Sequence, residues 1–246
     1  MYKNRQHIMK NVMTMFYFAL LLLYGKTSSA HALWIETQAT GQRHKPQEVK
    51  IFYGEFANNE REAIDKWYSD VKDFTLWLYE PGKEVKKLEV HASENNFSTT
   101  FTPTVEGIYY LAIIKEPKDL GGKTKYEFSS LVPVRVGKVN NLYDTPIKNP
   151  LQLQLESNKG YKKGSKIQVN VLLDGQKFAK AKVSVFSAAG WSKEFEADEH
   201  GVLIFDALWS GPYVLEVSRF VETTGEHAGK AYTSTWQGAT TYLTVN

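Results

Sequence analysis

Two stretches, Phe101–Leu111 (FTPTVEGIYYL) and Phe205–Leu215 (FDALWSGPYVL), share the frame F-x5-G-x-Y-x-L. Each reads as a strand, a turn that glycine makes possible, and a return strand whose Tyr and Leu point inward. In Greek-key sandwiches a tyrosine near the start of a strand ties down the crossing connection in this way. Gly107 and Gly211 stand 104 positions apart, the span of one small sandwich domain.

Outward from these frames the pattern is β throughout. Lys166–Val171 (KIQVNV) alternates strictly, and Asp174-Gly175 behind it is hairpin chemistry. Ala181–Phe186 (AKVSVF) and Thr241–Val245 (TYLTV) alternate as well, and Phe74–Tyr79 (FTLWLY) runs into the turn signal Pro81-Gly82. Gly107–Ile114 (GIYYLAII) is almost continuously apolar, as befits the middle of a sandwich. Gly137–Pro150 (GKVNNLYDTPIKNP) is rich in Gly, Asn and Pro and reads as a linker. The expected fold class is therefore all-β, with two consecutive antiparallel sandwiches of immunoglobulin-like or transthyretin-like type. Residues 31–137 form the first, 138–150 the linker and 151–246 the second. One segment departs from the pattern. Asn58–Asp73 (NNEREAIDKWYSDVKD) places Ala63, Ile64, Trp67 and Val71 at helical spacing, predicting a short helix in the first sandwich.

Residues 1–30 read as a signal peptide: Lys3, Arg5 and Lys10 without an acid, an apolar run Val12–Tyr24, then small polar residues. The run is shorter than the roughly 20 residues of a membrane span, so the mature protein is expected to be exported and not membrane-spanning. Cleavage after Ala30 leaves His31 first; cleavage after Ala32 fits A-x-A better. The chain's formal +3 contains four positives before residue 31 (Lys3, Arg5, Lys10, Lys26) and no negatives, so the remainder carries −1. Nothing in that balance calls for nucleic acid or an anionic membrane as a partner. The chain has no cysteine, which excludes disulfides, zinc–thiolate and iron–sulfur sites and thiol nucleophiles.

The start His31-Ala-Leu33-Trp34-Ile35-Glu36-Thr37, followed by Gln47–Glu55 (QEVKIFYGE), resembles the domain of unknown function 4198 family. Its members are exported bacterial proteins often described as periplasmic components of nickel or cobalt uptake. The ending Thr224–Tyr232 (TGEHAGKAY), with Ala239–Leu243 (ATTYL), is similar to the family's closing pattern. Asp174-Gly175, Asp198–Gly201 and Gly211–Tyr213 also resemble the transthyretin-like module found beside carboxypeptidases, which is non-catalytic. The resemblance implies a periplasmic protein whose mature chain begins at His31. A first-residue histidine offers its α-amine and Nδ1 as a chelating pair of nitrogens, suited to copper or nickel.

Such a pair needs a further ligand. Of His44, His91, His200 and His227, the last falls in the family-like Gly225–Tyr232 loop and is the favoured partner. His200 reads as a polar turn residue, His44 as part of a basic loop and His91 as a sheet-edge side chain. No H-x-H, H-x3-H or H-E-x-x-H occurs, and no G-x-S-x-G elbow, phosphate loop or dinucleotide fingerprint either. The expected function is thus a non-enzymatic protein that binds nickel, cobalt or copper through His31 and His227, delivering it to a membrane transporter component. The alternative is an immunoglobulin-like module that binds an envelope protein or a glycan, with Trp191 and Trp236 as the tryptophans placed for exposure.

Overall fold

The computed structural model describes residues 31–139, 147, 149–155 and 160–246. Residues 1–30, expected to be a signal peptide, and most of the expected linker lie outside the described residues. The first half contributes β1 (Ala32–Thr37), β2 (Thr40–Gly41), β3 (Gln47–Gly54), β4 (Thr75–Tyr79), β5 (Lys86–Leu88), β6 (His91–Ala92), β7 (Phe97–Phe101), β8 (Gly107–Lys115) and β9 (Thr124–Val136). The second contributes β10 (Leu151–Leu155), β11 (Lys166–Leu173), β12 (Gln176–Lys177), β13 (Lys182–Ser187), β14 (Trp191–Glu196) and β15 (Val202–Asp206). Then come β16 (Gly211–Val221), β17 (Gly225–His227), β18 (Lys230–Tyr232) and β19 (Ser234–Val245). The fold is all-β, with largely antiparallel sheets packed as sandwiches.

Two cores follow the two halves. Leu33, Ile35, Ile51, Leu76, Leu78, Tyr109, Leu111 and Ile113 belong to the first. Ile167, Val169, Val171, Val183, Val185, Tyr213 and Leu215 belong to the second. The alternating strands bury one parity, as β11 does with Ile167, Val169 and Val171. β8 is apolar on both parities because both its faces are covered: Tyr109, Leu111 and Ile113 enter the first core. Ile108, Tyr110 and Ala112 form an outer cluster with Leu131 and Ile147.

The shared frame has a direct structural meaning. Tyr109 Oη donates to the carbonyl of Val105 at 3.0 Å and accepts the N–H groups of Thr104 and Val105 at 3.2 Å. Tyr213 Oη donates to the carbonyl of Trp209 and accepts its N–H, each at 3.0 Å. Each hydroxyl satisfies backbone groups of the turn just upstream, while its ring is fully buried.

The halves are joined by hydrogen bonding. β9 pairs in parallel with β19, Thr124–Ser130 against Ser234–Thr240, so one sheet runs β14-β13-β16-β19-β9-β8-β4-β5, with β2 also on β9. The sheets β1-β3-β7-β6 and β10-β11-β12, with β15 also on β11, complete the packing, and β17 and β18 form a small hairpin.

The helix expected over Asn58–Asp73 is absent. In its place stand 3-10 turns at Phe56–Asn58, Ile64–Lys66 and Val71–Asp73. Asn59 and Ser69 adopt left-handed backbone conformations, which end any helical run. The N–H groups of Glu62 and Ile64 bond across to Tyr53 O (2.9 Å) and Glu94 O (3.0 Å), not back along a helix. Trp67 and Val71 still face the first core, so the spacing reported burial correctly but not helicity. Among the described residues no helix is long and apolar enough to cross a membrane.

Candidate metal centre

β1 pairs antiparallel with β3, Ala32 opposite Gly54, so His31 sits at the strand end beside the chain leaving β3. That chain turns sharply. Asn59 N–H bonds to Phe56 O at 3.0 Å and Glu60 N–H to Glu55 O at 3.0 Å, and the backbone doubles back over Gly54. Gly54 has φ +147°, and a Cβ there would lie 2.5 Å from the carbonyl oxygen of Glu60. Only glycine lets the returning segment approach this closely.

Glu60–Glu62 carries no regular secondary structure, and the side chains of Arg61 and Glu62 go to different partners. Arg61 takes one side: its Nη2 bonds to Glu36 Oε1 at 2.8 Å, and Trp34 Nε1 donates to the same oxygen at 2.8 Å. Its guanidinium lies over the rings of Phe52 (4.9 Å) and Trp34 (5.5 Å), a cation–π anchor. Glu62 is pinned through its carbonyl, which accepts from Trp67 Nε1 at 3.0 Å.

His31 Nε2 lies 2.9 Å from Glu62 Oε1, and Nδ1 lies 3.9 Å from Glu55 Oε1. His31, Glu60 and Glu62 each offer one ligand atom, all within 4.8 Å of one another. His31 is partly buried and Glu60 is exposed, so the cluster opens to solvent. Behind it the Tyr53 ring stands 5.4 Å from the imidazole. Burial first, and the Glu62 charge second, raise the pKa of that hydroxyl.

One imidazole nitrogen and two carboxylates form a mixed N/O donor set of the kind first-row divalent ions accept. Metal–donor bonds of about 2.0–2.2 Å place adjacent donors roughly 3 Å apart and opposed ones roughly 4 Å apart. His31 Nε2 and Glu62 Oε1 are hydrogen-bonded at 2.9 Å and the three donors lie within 4.8 Å of one another, so a single ion would be met by all three once that bond opens and the side chains draw in.

His227 is elsewhere. It ends β17, and its Nε2 bonds to the carbonyl of Pro117, beside the Lys230–Asp119 pair at 2.7 Å. It is not among the groups that surround His31. His44 and His91 are exposed, and His200 lies in a turn whose backbone N–H bonds to Asp198 Oδ1 at 2.8 Å. Trp191 and Trp236 are each half-buried, packed on Trp209 and on Phe128 respectively. The sequence reading missed Glu60 and Glu62 because it put them in the first turn of a helix. The available signal was the triplet Glu60-Arg61-Glu62, two carboxylates about one cation.

No curated protein matches the chain. A family model does: it runs from Ser28, just ahead of His31, through the Glu55–Glu62 segment and into β16, stopping short of His227. With residues 28–219 matched by Domain of unknown function (DUF4198), the chain belongs to that family.

Proposed function

We propose that this is an exported, periplasmic, non-catalytic protein that binds a divalent transition metal, nickel, cobalt or copper, at His31, Glu60 and Glu62. It would hand the ion to a membrane uptake component. The observation that carries the reading is the convergence of one imidazole and two carboxylates within 4.8 Å. The loop's own cation, Arg61, is turned away onto Glu36, which leaves His31 as the partner of Glu62. The order of charged, apolar and small residues before His31 supports export. His227, held by a backbone carbonyl, is left out of the ligand set.

The test is calorimetric titration of metal-free protein beginning at His31 with Ni²⁺, Co²⁺ and Cu²⁺. One equivalent should bind, with affinity lowered about tenfold or more in Glu62→Gln and Glu60→Gln and lost in His31→Ala. A preparation with one alanine ahead of His31 keeps the ring and carboxylates but removes the adjacent amine, and so measures the amine's share. Equal heats from wild type and His31→Ala would overturn the assignment.

A further inference from the structure

Trp34, Phe52 and Phe56 of the first half pack on Val214 of the second. Farther along β1, a cleft of about 740 Å³ lies between the halves. Alternation shapes its first wall: Ile35, Val49 and Ile51 enter the first core, so Glu36, Glu48 and Lys50 are left on the opposite face and line the cleft. Tyr242 and Thr244, at the end of β19, line it from the second half, and residues 38–42 add a third side. The volume falls among small-molecule sites, about 300–1,000 Å³, which favour the junction of two packed lobes.

The walls are fixed by their own hydrogen bonds. Gln47 Nε2 donates to Thr37 Oγ1 and to Gln38 O, each at 2.9 Å, and Thr37 Oγ1 donates to Glu48 O at 2.6 Å. β2 ties Thr40 and Gly41 to Arg135 and Val136 of β9. In the second half the N–H of Asn246 bonds to Tyr161 O at 3.0 Å. A cleft held in shape this way needs little ordering when a ligand enters.

Most of its charges are already matched. Glu36 Oε1 accepts from Arg61 Nη2 and Trp34 Nε1, each at 2.8 Å, and Glu48 meets Lys50 at 3.2 Å. Of the charged side chains that line the cleft, only the exposed Lys45 has no ion pair among the described residues. A charged ligand would compete with the existing pairs; a neutral one would not. Gln38, Thr40 and Gln42 are exposed on one wall, and Tyr242 and Thr244 are partly exposed on the other. Their amides and hydroxyls both donate and accept, as each hydroxyl of a sugar does. An apolar ligand would strip these groups of water and leave them unpaired.

We infer that the cleft between the β1–β3 face and the end of β19 binds a neutral saccharide. It is a second site: Glu36 stands five residues, roughly 17 Å, along β1 from His31. The inference goes beyond the proposed metal binding and does not depend on it.

The probes are neutral trisaccharides of α-1,4-linked glucose, β-1,4-linked glucose and β-1,4-linked N-acetylglucosamine. Each is titrated into isotope-labelled chain beginning at His31, and the backbone amide shifts are followed by NMR. At least one should move the amides of residues 38–42 and 242–244 in a saturable way. Gln38→Ala and Gln42→Ala should each weaken that sugar about fivefold or more, and Thr40→Trp, which fills the cleft from an exposed position, should abolish its binding. Gln176→Ala, on the exposed β12, and His31→Ala should both bind it as wild type does. The amide spectra themselves report whether each variant is folded, and the two alanine variants alter only exposed side chains. The inference falls if no trisaccharide moves these amides, or if the shifts appear elsewhere on the molecule. It falls equally if Gln38→Ala, Gln42→Ala and Thr40→Trp all bind like wild type, or if folded His31→Ala loses the sugar. Short extended peptides run in parallel; shifts at the same amides from peptides and from no sugar would make the cleft a peptide site and overturn the saccharide. Metal titrations of the same samples report on His31 separately, so either reading can fail while the other stands.

Discussion

At Gly54 a φ of +147° meets a backbone that passes overhead: a Cβ built there would lie 2.5 Å from Glu60 O, which leaves no room for a side chain. In Gly54→Ala the 59–62 segment must lift off β3, taking Glu60 and Glu62 away from His31. Stability should fall by roughly 1–3 kcal/mol, the scale of a forced backbone conformation. Urea unfolding of metal-free protein measures that loss, and the same variant should bind metal more weakly. Unchanged stability would mean that the loop has slack that the geometry does not suggest. The two buried tyrosines are the opposite case, a residue-scale feature fully legible in the sequence. Each corner closes over a few residues, so Tyr109 and Tyr213 sit in a local frame that repeats recognisably.

At the scale of elements, the strands were legible because alternation and burial are the same fact seen twice: Val183 and Val185 are buried, Lys182 is exposed. The 58–73 segment was not, because the backbone donors of Glu62 and Ile64 go to Tyr53 and Glu94, partners that no local pattern announces. His31 was legible as a candidate and its carboxylate partners were not, for the same reason. This segment also anchors a buried lysine. Lys115 Nζ, 4% exposed, donates to Asp70 Oδ2 at 2.7 Å. Burial works to raise the Asp70 pKa, but hydrogen bonds from Lys115 and from Lys118 N–H, with the Lys115 charge, hold it below the usual 3.8. A depressed folded-state pKa stabilises above the unfolded value, and the gain disappears as pH falls through the folded value. Asp70→Asn should therefore cost about 2–3 kcal/mol at pH 6, under the roughly 3–5 kcal/mol of a fully buried pair because Asp70 keeps contact with water. Below the folded-state pKa, on the acid side of 3.8, wild type loses the same contribution and the two curves should converge. Urea midpoints across pH 6 to 2 check this; a constant gap down to the acid limit would remove the ion pair as its cause.

The whole molecule is built on a pairing between distant segments. Thr240 Oγ1 meets Ser130 Oγ at 2.9 Å, Thr124 Oγ1 meets Ser234 Oγ at 2.8 Å, and Thr241 Oγ1 donates to Leu131 O at 2.7 Å, all across 110 residues of chain. Parallel pairing at that separation leaves no mark on either segment alone, so the sequence suggested two sandwiches but not the sheet they share. The consequence is thermodynamic. β19 pairs with β16 on one side and β9 on the other, so neither core can open without exposing a flank of the common sheet. Leu111→Ala in the first core and Val185→Ala in the second should each lower stability, by roughly 2–5 kcal/mol for the leucine and less for the smaller valine. Because the sheet couples the cores, both variants should displace one and the same unfolding transition, seen at equal midpoints by tryptophan fluorescence and by far-ultraviolet circular dichroism. Two separable transitions, one moved by each substitution, would show instead that the β9–β19 pairing is weaker than the cores it joins.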